Sequence, residues 1–305
     1  SVFDITTKSA SKEPFLVRAG VSPVTADVMV EGTVANNRLK YVVGTRTTYS
    51  NWVMRLVKSP ELQNSAGSFA DGVVDLDYQI SAGQHIQLTA YGSNDFINLN
   101  GLTEFNYQNL GGALNYRKTI NQKHSFKASI SNGQYYYNED NFTTDYAHYH
   151  LAYDLNHTEA KLSITLNPNY AHSVTIGASS VLYNVDQGEL SPLGEASLYK
   201  NISFIKERGL ESALFINEEW KAGARFSFQA GGRLNLYQYL GPNTVYQYLD
   251  NVEKTANTIV DTSYYAKNEV IQKYLNPDVR LSARYSINEF FSLKASVNRM
   301  HQYIN

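Results

Sequence analysis

The chain has 305 residues, a formal net charge of −2, no cysteine and 24 tyrosines, and is 43% hydrophobic and 18% charged. That hydrophobic content excludes a disordered chain, and the balance of 26 Lys+Arg against 28 Asp+Glu gives no drive toward nucleic acid. No apolar run approaches the roughly 18–20 residues of a membrane-crossing helix, and the missing cysteine removes disulfide scaffolds and thiolate metal sites.

From the first residues the pattern is that of strands. Ser1 to Lys8 already alternates, without a basic or apolar leader before it, and Leu293 to Ile304 is strand-like up to the last residue. Both ends are therefore expected to be cuts through a longer protein. Between them, Val74, Leu76, Tyr78 and Ile80 alternate with Asp75, Asp77, Gln79 and Ser81. Phe226, Phe228, Ala230, Leu234 and Leu236 oppose Ser227, Gln229, Arg233 and Asn235, with Arg225 in the same phase. Val279, Leu281, Ala283 and Tyr285 oppose Arg280, Ser282, Arg284 and Ser286. Successive strand side chains point to opposite faces, so each segment has one apolar and one strongly polar face, and a helix would smear its charges around the axis. The fold class is all-β.

Crossings are expected at 1–8, 14–34, 38–49, 72–81, 85–97, 104–119, 124–137, 159–167, 173–184, 211–220, 224–240, 269–287 and 290–304. Short connections carrying Asn, Gly or Pro fall at 35–37, 81–84, 121–123, 167–171, 221–223 and 288–289. Long ones are expected at 50–71, 98–103, 138–158, 185–210 and 241–268. Short turns on one side and long loops on the other are the pattern of an antiparallel transmembrane β-barrel, with periplasmic turns and extracellular loops. The assignment places all short turns on one side only if 145–155 belongs to an outer hairpin and is not itself a crossing. The count of about 13 is odd, whereas a single-chain bacterial barrel closes with an even number, so an incomplete barrel is expected.

In that geometry Asp75, Asp77, Arg225, Arg233, Arg280 and Arg284 line the lumen, opposite water or a polar plug, because a dry core would not tolerate them unpaired. The tyrosines have two readings. Tyr135, Tyr136, Tyr137, Tyr246 and Tyr248 are candidate ligand contacts in loops, since their rings could stack on a sugar or another planar ligand. Equally, tyrosines near strand ends suit an interfacial aromatic girdle.

The residues also resemble a known family. Ser1-Val2-Phe3-Asp4-Ile5 is similar to the segment by which the plug of TonB-dependent outer-membrane receptors of the Bacteroidota type runs into the first barrel strand. Arg18 to Gly32 and Tyr41 to Tyr49 resemble its next strands, Glu218-Glu219-Trp220-Lys221 one of its turns, and Asn276 to Leu281 the start of a later strand. Ser292 to Arg299, with Gln302-Tyr303-Ile304, is the nearest match. The resemblance implies a receptor of the bacterial outer membrane with an N-terminal plug and a barrel of about 22 strands. Residues 1–305 would be roughly the first half of that barrel; the plug, the TonB box and the C-terminal barrel half would not be in this chain. Its implied partners are outer-membrane lipid and the TonB complex, the latter acting through the plug region, and some relatives pair with a surface lipoprotein lid. Nucleic acid is not among them.

No enzymatic motif is present: the sequence lacks Gly-x-Ser-x-Gly, a phosphate-binding Gly-x-x-x-x-Gly-Lys and a helix-borne zinc motif. No catalytic residue and no cofactor are expected. His148 and His150 share a strand face at i, i+2 and form a weak metal candidate, with no third ligand fixed by spacing. Asp71, Asp75 and Asp77 lack the EF-hand pattern and read as lumen carboxylates. The function expected is TonB-dependent uptake of a scarce solute, whether glycan, peptide or siderophore. The alternatives are a surface-binding or adhesion β-protein without transport, and a passive porin.

Overall fold

A computed structural model describes residues 13–121 and 123–303. Sixteen strands account for most of it: β1 (Leu16–Val21), β2 (Thr25–Val34), β3 (Leu39–Thr48), β4 (Ala66–Ser81), β5 (Gln84–Leu99), β6 (Thr103–Asn121), β7 (His124–Asn141) and β8 (Tyr149–Leu166). There follow β9 (His172–Pro192), β10 (Ile202–Ser203), β11 (Glu207–Ala222), β12 (Phe226–Leu240), β13 (Asn243–Tyr248), β14 (Ile259–Tyr265), β15 (Val270–Ser286) and β16 (Ser292–Arg299). Two short helices, α1 (Asn51–Leu56) and α2 (Pro60–Gln63), lie between β3 and β4.

The strands form one hydrogen-bonded, 14-stranded antiparallel sheet in the order β1 to β9, β11, β12, β15, β16, with β10 attached to β9; β13 and β14 make a separate hairpin. By contacts the chain divides into two compact units, 1–160 with 186–204 and 161–185 with 205–305, and β8 and β9 carry residues of both. No described helix is long and apolar enough to cross a membrane, which says nothing about strands.

Burial in this sheet is the reverse of that in a water-soluble sandwich. Glu31 and Asn235 are each 1% exposed and Asp75 7%, whereas Leu110 is 58% exposed, Leu214 65% and Val297 75%. The strand period produces this inversion. On β6, Gln108, Leu110, Gly112 and Leu114 are exposed and alternate with the more covered Asn109, Gly111 and Ala113. Surface scatter of single apolar residues is ordinary, but a whole apolar face left uncovered requires a non-aqueous neighbour.

That apolar face has a limited height. On β6 it runs from Leu110 to Tyr116, bounded by Lys118 on one side and Gln108 on the other. Counted with its bounding residues, Gln108 to Lys118, it spans 11 residues, against the ~9–11 that a tilted strand needs to cross a bilayer. Beyond it, the same face carries Asn94 on β5, Gln108 and Asn106 on β6, and Asn138 on β7, in register with one another or one row apart. The strands are therefore longer than a crossing, and at their far ends the face that carries the apolar band bears Asn and Gln side chains.

This extension explains where the connections depart from expectation. The 98–103 loop is a tight turn over Asn100-Gly101-Leu102, closed by Leu102 N–H to Leu99 O at 2.9 Å. Asn100 and Gly101 have φ of 56° and 69°, the left-handed pair of a two-residue hairpin turn. The 138–158 loop shrinks to 142–148, since β7 reaches Asn141 and β8 begins at Tyr149; residues 149–155 are the outer end of the strand that continues through 159–166. The 185–210 loop shrinks to 193–206, with β10 inside it. The short turns, by contrast, lie within about two residues of where the sequence places them: between β4 and β5, between β8 and β9, and, shifted to 223–225, between β11 and β12. Ala35, Asn36 and Asn37 take φ of 53°, 56° and 65° between β2 and β3.

The expected crossing at 14–34 is two strands. Ser22-Pro23-Val24 reverses the chain, with Ser22 N–H on Thr25 O at 2.8 Å. Trp52 Nε1–H donates to Pro23 O at 3.0 Å and Tyr49 Oη–H to Ser22 O, so the α1 connection clasps that turn. The crossing expected at 1–8 lies outside the described residues.

The polarity gives a direct test. In the intact protein, Leu114→Arg on the apolar face should lower stability in phospholipid vesicles by about 2–4 kcal/mol, while Asn115→Arg on the polar face should change it by less than about 1 kcal/mol. Urea unfolding in vesicles measures both.

Candidate functional site

Networks of paired polar side chains gather on the polar face of the strands, and this face differs between the two units. In the second unit, register sets Phe215, Arg233 and Asp278 in one row, and Ala213, Asn235 and Asn276 in the next. Arg233 donates to Asn235 Oδ1 and, through Nη2, to Glu211 Oε1 at 3.2 Å. Asn235 Nδ2–H donates to Asp278 Oδ2 at 2.7 Å, and Asp278 Oδ1 accepts from His301 Nδ1 at 2.8 Å and His301 N–H at 3.1 Å. The buried Asn235 thus links a cation to a carboxylate, which satisfies both polar ends of its amide. Tyr237 stacks on Tyr303 at 5.0 Å, and Tyr303 Oη accepts from Asn276 Nδ2 at 3.1 Å.

In the first unit, Glu31, Val42, Asp75 and Thr89 lie directly opposite one another across β2 to β5. Arg18 Nη2 meets Glu31 at 2.8 Å. Asp75 Oδ2 accepts from Gln87 Nε2 and Thr89 Oγ1, both at 2.8 Å, and Asp77 contacts His85 Nδ1 at 3.2 Å. Arg46 donates twice to Asp71, at 2.7 and 3.0 Å, and lies over the Phe69 ring at 5.0 Å.

Toward the long-loop end of this unit, beyond the apolar band, the polar face becomes aromatic. Register places Phe69, Asp95, Tyr107 and Tyr137 in a single row across β4 to β7. Tyr137 stacks on Tyr153 at 4.6 Å and meets Tyr107 at 5.3 Å; Tyr135 meets Tyr153 at 6.0 Å, and Phe105 meets Tyr107 at 6.3 Å. Glu139 accepts the hydroxyl protons of Tyr137 and Tyr149, each at 2.6 Å. The Tyr149 phenol is pushed up to about 12, first by this bond to the carboxylate and then by burial. Tyr149 also meets the Tyr199 ring edge at 5.1 Å, and the 193–199 segment is pinned to the 146–148 segment by Leu198 N–H to Tyr146 O at 2.9 Å and Ser197 Oγ–H to His148 O at 2.6 Å. The result is a platform of partly covered rings around one carboxylate, able to stack on a flat or ring-shaped ligand.

The residues singled out in sequence distribute as follows. Asp75, Asp77, Arg233, Arg280 and Arg284 lie on the polar face of their strands, and Arg225 stands in the turn before β12, its carbonyl accepting Ser286 N–H at 2.8 Å. Tyr135 and Tyr137 are on the polar face of β7 and Tyr136 on the opposite one, so the three do not act together, and they lie in a strand and not a loop. Tyr246 and Tyr248 are on β13, 6.4 Å apart, with Lys254 over the Tyr248 ring at 5.7 Å. His148 and His150 engage different carboxylates, Asp145 at 3.8 Å and Asp140 at 2.5 Å, and among the described residues no group of three metal-ligating side chains forms.

Sequence reasoning missed Glu139, Phe105, Tyr107 and Tyr153, which only strand register brings together. Glu211, Asn235 and Asp278 were missed for the same reason. A row of aromatic rings lies on the apolar face near the short turns: His172, Trp220, Phe228, Phe226 and Tyr285 stack in series at 5.7, 5.5, 6.2 and 4.4 Å. The Trp and Phe residues there were the available signal.

No family model matches the sequence, and no curated protein matches it. Solved structures match the fold. The copper transporter OprC superposes with a TM-score of 0.65 at 13% identity, over 97% of this chain and 47% of its own. The ferripyoverdine receptor of the outer membrane of Pseudomonas aeruginosa gives 0.66 at 10% identity, over 95% and 42%. The Serratia marcescens hemophore receptor HasR, solved with its hemophore and heme, gives 0.62 at 11% identity, over 90% and 44%. The chain thus has the antiparallel β-barrel fold of outer-membrane receptors and spans less than half the length of each of these three.

Two substitutions probe the polar networks. Asn235→Leu should destabilise the protein by about 1–3 kcal/mol, since it separates Arg233 from Asp278 in a buried setting; the urea midpoint reads this. Glu139→Leu leaves two tyrosine hydroxyls without their acceptor. It should change the near-ultraviolet circular dichroism of the tyrosines while far-ultraviolet strand signal persists.

Proposed function

We propose that this chain is part of the barrel wall of a TonB-dependent receptor in the bacterial outer membrane, importing a scarce solute captured at the cell surface. The observation that carries the reading is the inverted polarity of a long antiparallel meander: a bounded apolar band outside, a charged and amide-rich face within. The fold shared with transporters and receptors of the outer membrane supports it.

On this reading the short turns are periplasmic, and the aromatic platform of Tyr107, Tyr135, Tyr137 and Tyr153 stands above the membrane on the lumen side, where it would contact arriving solute. Tyr246 and Tyr248 would add contacts from the β13 hairpin. Asp75, Asp77, Arg225, Arg233, Arg280 and Arg284 line the passage. Energy would come from the TonB complex acting on a plug outside residues 1–305, and the long loops offer a seat for a surface lipoprotein lid. The solute is a glycan, a peptide or a metal chelate.

TonB dependence tests the mechanism. In cells carrying the intact receptor, deleting TonB or adding a protonophore should cut solute uptake at least tenfold while binding at the surface persists. Uptake that survives both treatments would indicate a passive pore, and binding without any uptake an adhesion protein.

A further inference from the structure

We infer that Asp95 and the rings beside it form a subsite for an ammonium or guanidinium group, so that the solute met by the tyrosine platform is a basic one. The inference rests on the proposed reading of that platform as a solute contact. Register sets Asp95 on β5 between Phe69 on β4 and Tyr107 on β6, with Tyr137 next in the row. Directly opposed side chains start about 4.5–5.5 Å apart, so one small cation can reach the carboxylate and a neighbouring ring together.

The same face already holds such a cation. Arg46 lies over the Phe69 ring at 5.0 Å and donates twice to Asp71 Oδ2, at 2.7 and 3.0 Å. Asp71 and Phe69, successive residues on the polar face of β4, thus grip a guanidinium by its charge and by its flat side. Asp95 with Phe69 and Tyr107 repeats this combination of carboxylate and ring without the cation. No described hydrogen bond or ion pair reaches Asp95, which is half-buried and acts electrostatically on the Tyr135 phenol.

Nothing nearby on these strands balances it. Arg46 is taken by Asp71, and Glu139 is engaged by the hydroxyls of Tyr137 and Tyr149. The next cations on this face of β6 and β7 are Arg117 and Lys127, which oppose each other. They stand roughly 34 Å along the strands from Tyr107 and Tyr137 at the strand rise. A solute stacked on Tyr107 and Tyr137 covers Asp95 from water. A neutral or anionic solute would then bury an unpaired charge, which is unfavourable. A solute with an ammonium or guanidinium group pairs with the carboxylate, and the ring faces add a cation–π attraction. The platform therefore selects a basic peptide or an amino sugar over a neutral glycan or an anionic metal chelate.

Calorimetric titration of the intact receptor in detergent tests this with two matched pairs of probes. One sets acetyl-Trp-Arg-Trp-amide against the same peptide with citrulline in place of arginine. The other sets a glucosamine trimer against an N-acetylglucosamine trimer. The cationic member of one pair should bind about tenfold or more tightly than its neutral partner, and which pair does so separates peptide from amino sugar. Asp95→Asn should remove that advantage, alter the neutral member's affinity by less than about twofold, and leave the near-ultraviolet circular dichroism of the tyrosines unchanged. Tyr107→Leu should weaken both members of the pair. Equal affinities within both pairs, no binding by either cationic probe, or a preference that survives Asp95→Asn would overturn the inference. These readouts need no TonB, so their failure leaves TonB-dependent uptake standing, and uptake that proves passive leaves them standing.

Discussion

The rest of this structure depends on one constraint: a strand period of two applied to segments that are apolar on one phase and charged on the other. In water such a sheet would bury its apolar face and solvate its polar one. Here Glu31, Asp75 and Asn235 are covered while Leu110, Leu214 and Val297 are not. Each ladder satisfies its backbone groups between strands, which is the condition for strands in a bilayer. The polar side chains, turned toward each other, then have to satisfy one another.

They do so by register. Arg233 to Glu211, Asn235 to Asp278 and Asp75 to Thr89 are each contacts between neighbouring strands, within one row or between rows that backbone pairing sets. A slip of one residue would send every one of these groups to the apolar face. The networks therefore follow from the ladder and also lock it, and the close cross-strand packing has little tolerance. At Gly177, an added Cβ would fall 2.4 Å from both Leu162 O and the Phe215 ring.

The two units put different chemistry on the polar face. The first joins acids and amides to stacked tyrosines beyond the apolar band, where the strands continue past it. The second gathers cations near the short turns, behind a row of Trp and Phe. The stacked rings of the former offer flat, adaptable surfaces, and the latter offers a spread of positive charge.

The sequence by itself determined the all-β class, the phase of each strand and the short turns, because alternation and left-handed Asn and Gly positions are local properties. Residues such as Arg233, Arg280 and Arg284 were legible as polar-face residues for the same reason. Strand length was not legible: beyond the apolar band the outer face turns to Asn and Gln while the inner face gains aromatic rings, so the apolar phase is lost and β5 to β9 looked shorter, and their connections longer, than they are. The break at Ser22-Pro23-Val24 was hidden within one continuous pattern. Only the tertiary structure decided which residues meet. Tyr107 and Tyr137 are thirty residues apart in sequence, and Glu211 and Asp278 more than sixty, yet they share sites, because neighbours across a sheet are set by pairing register and not by distance along the chain.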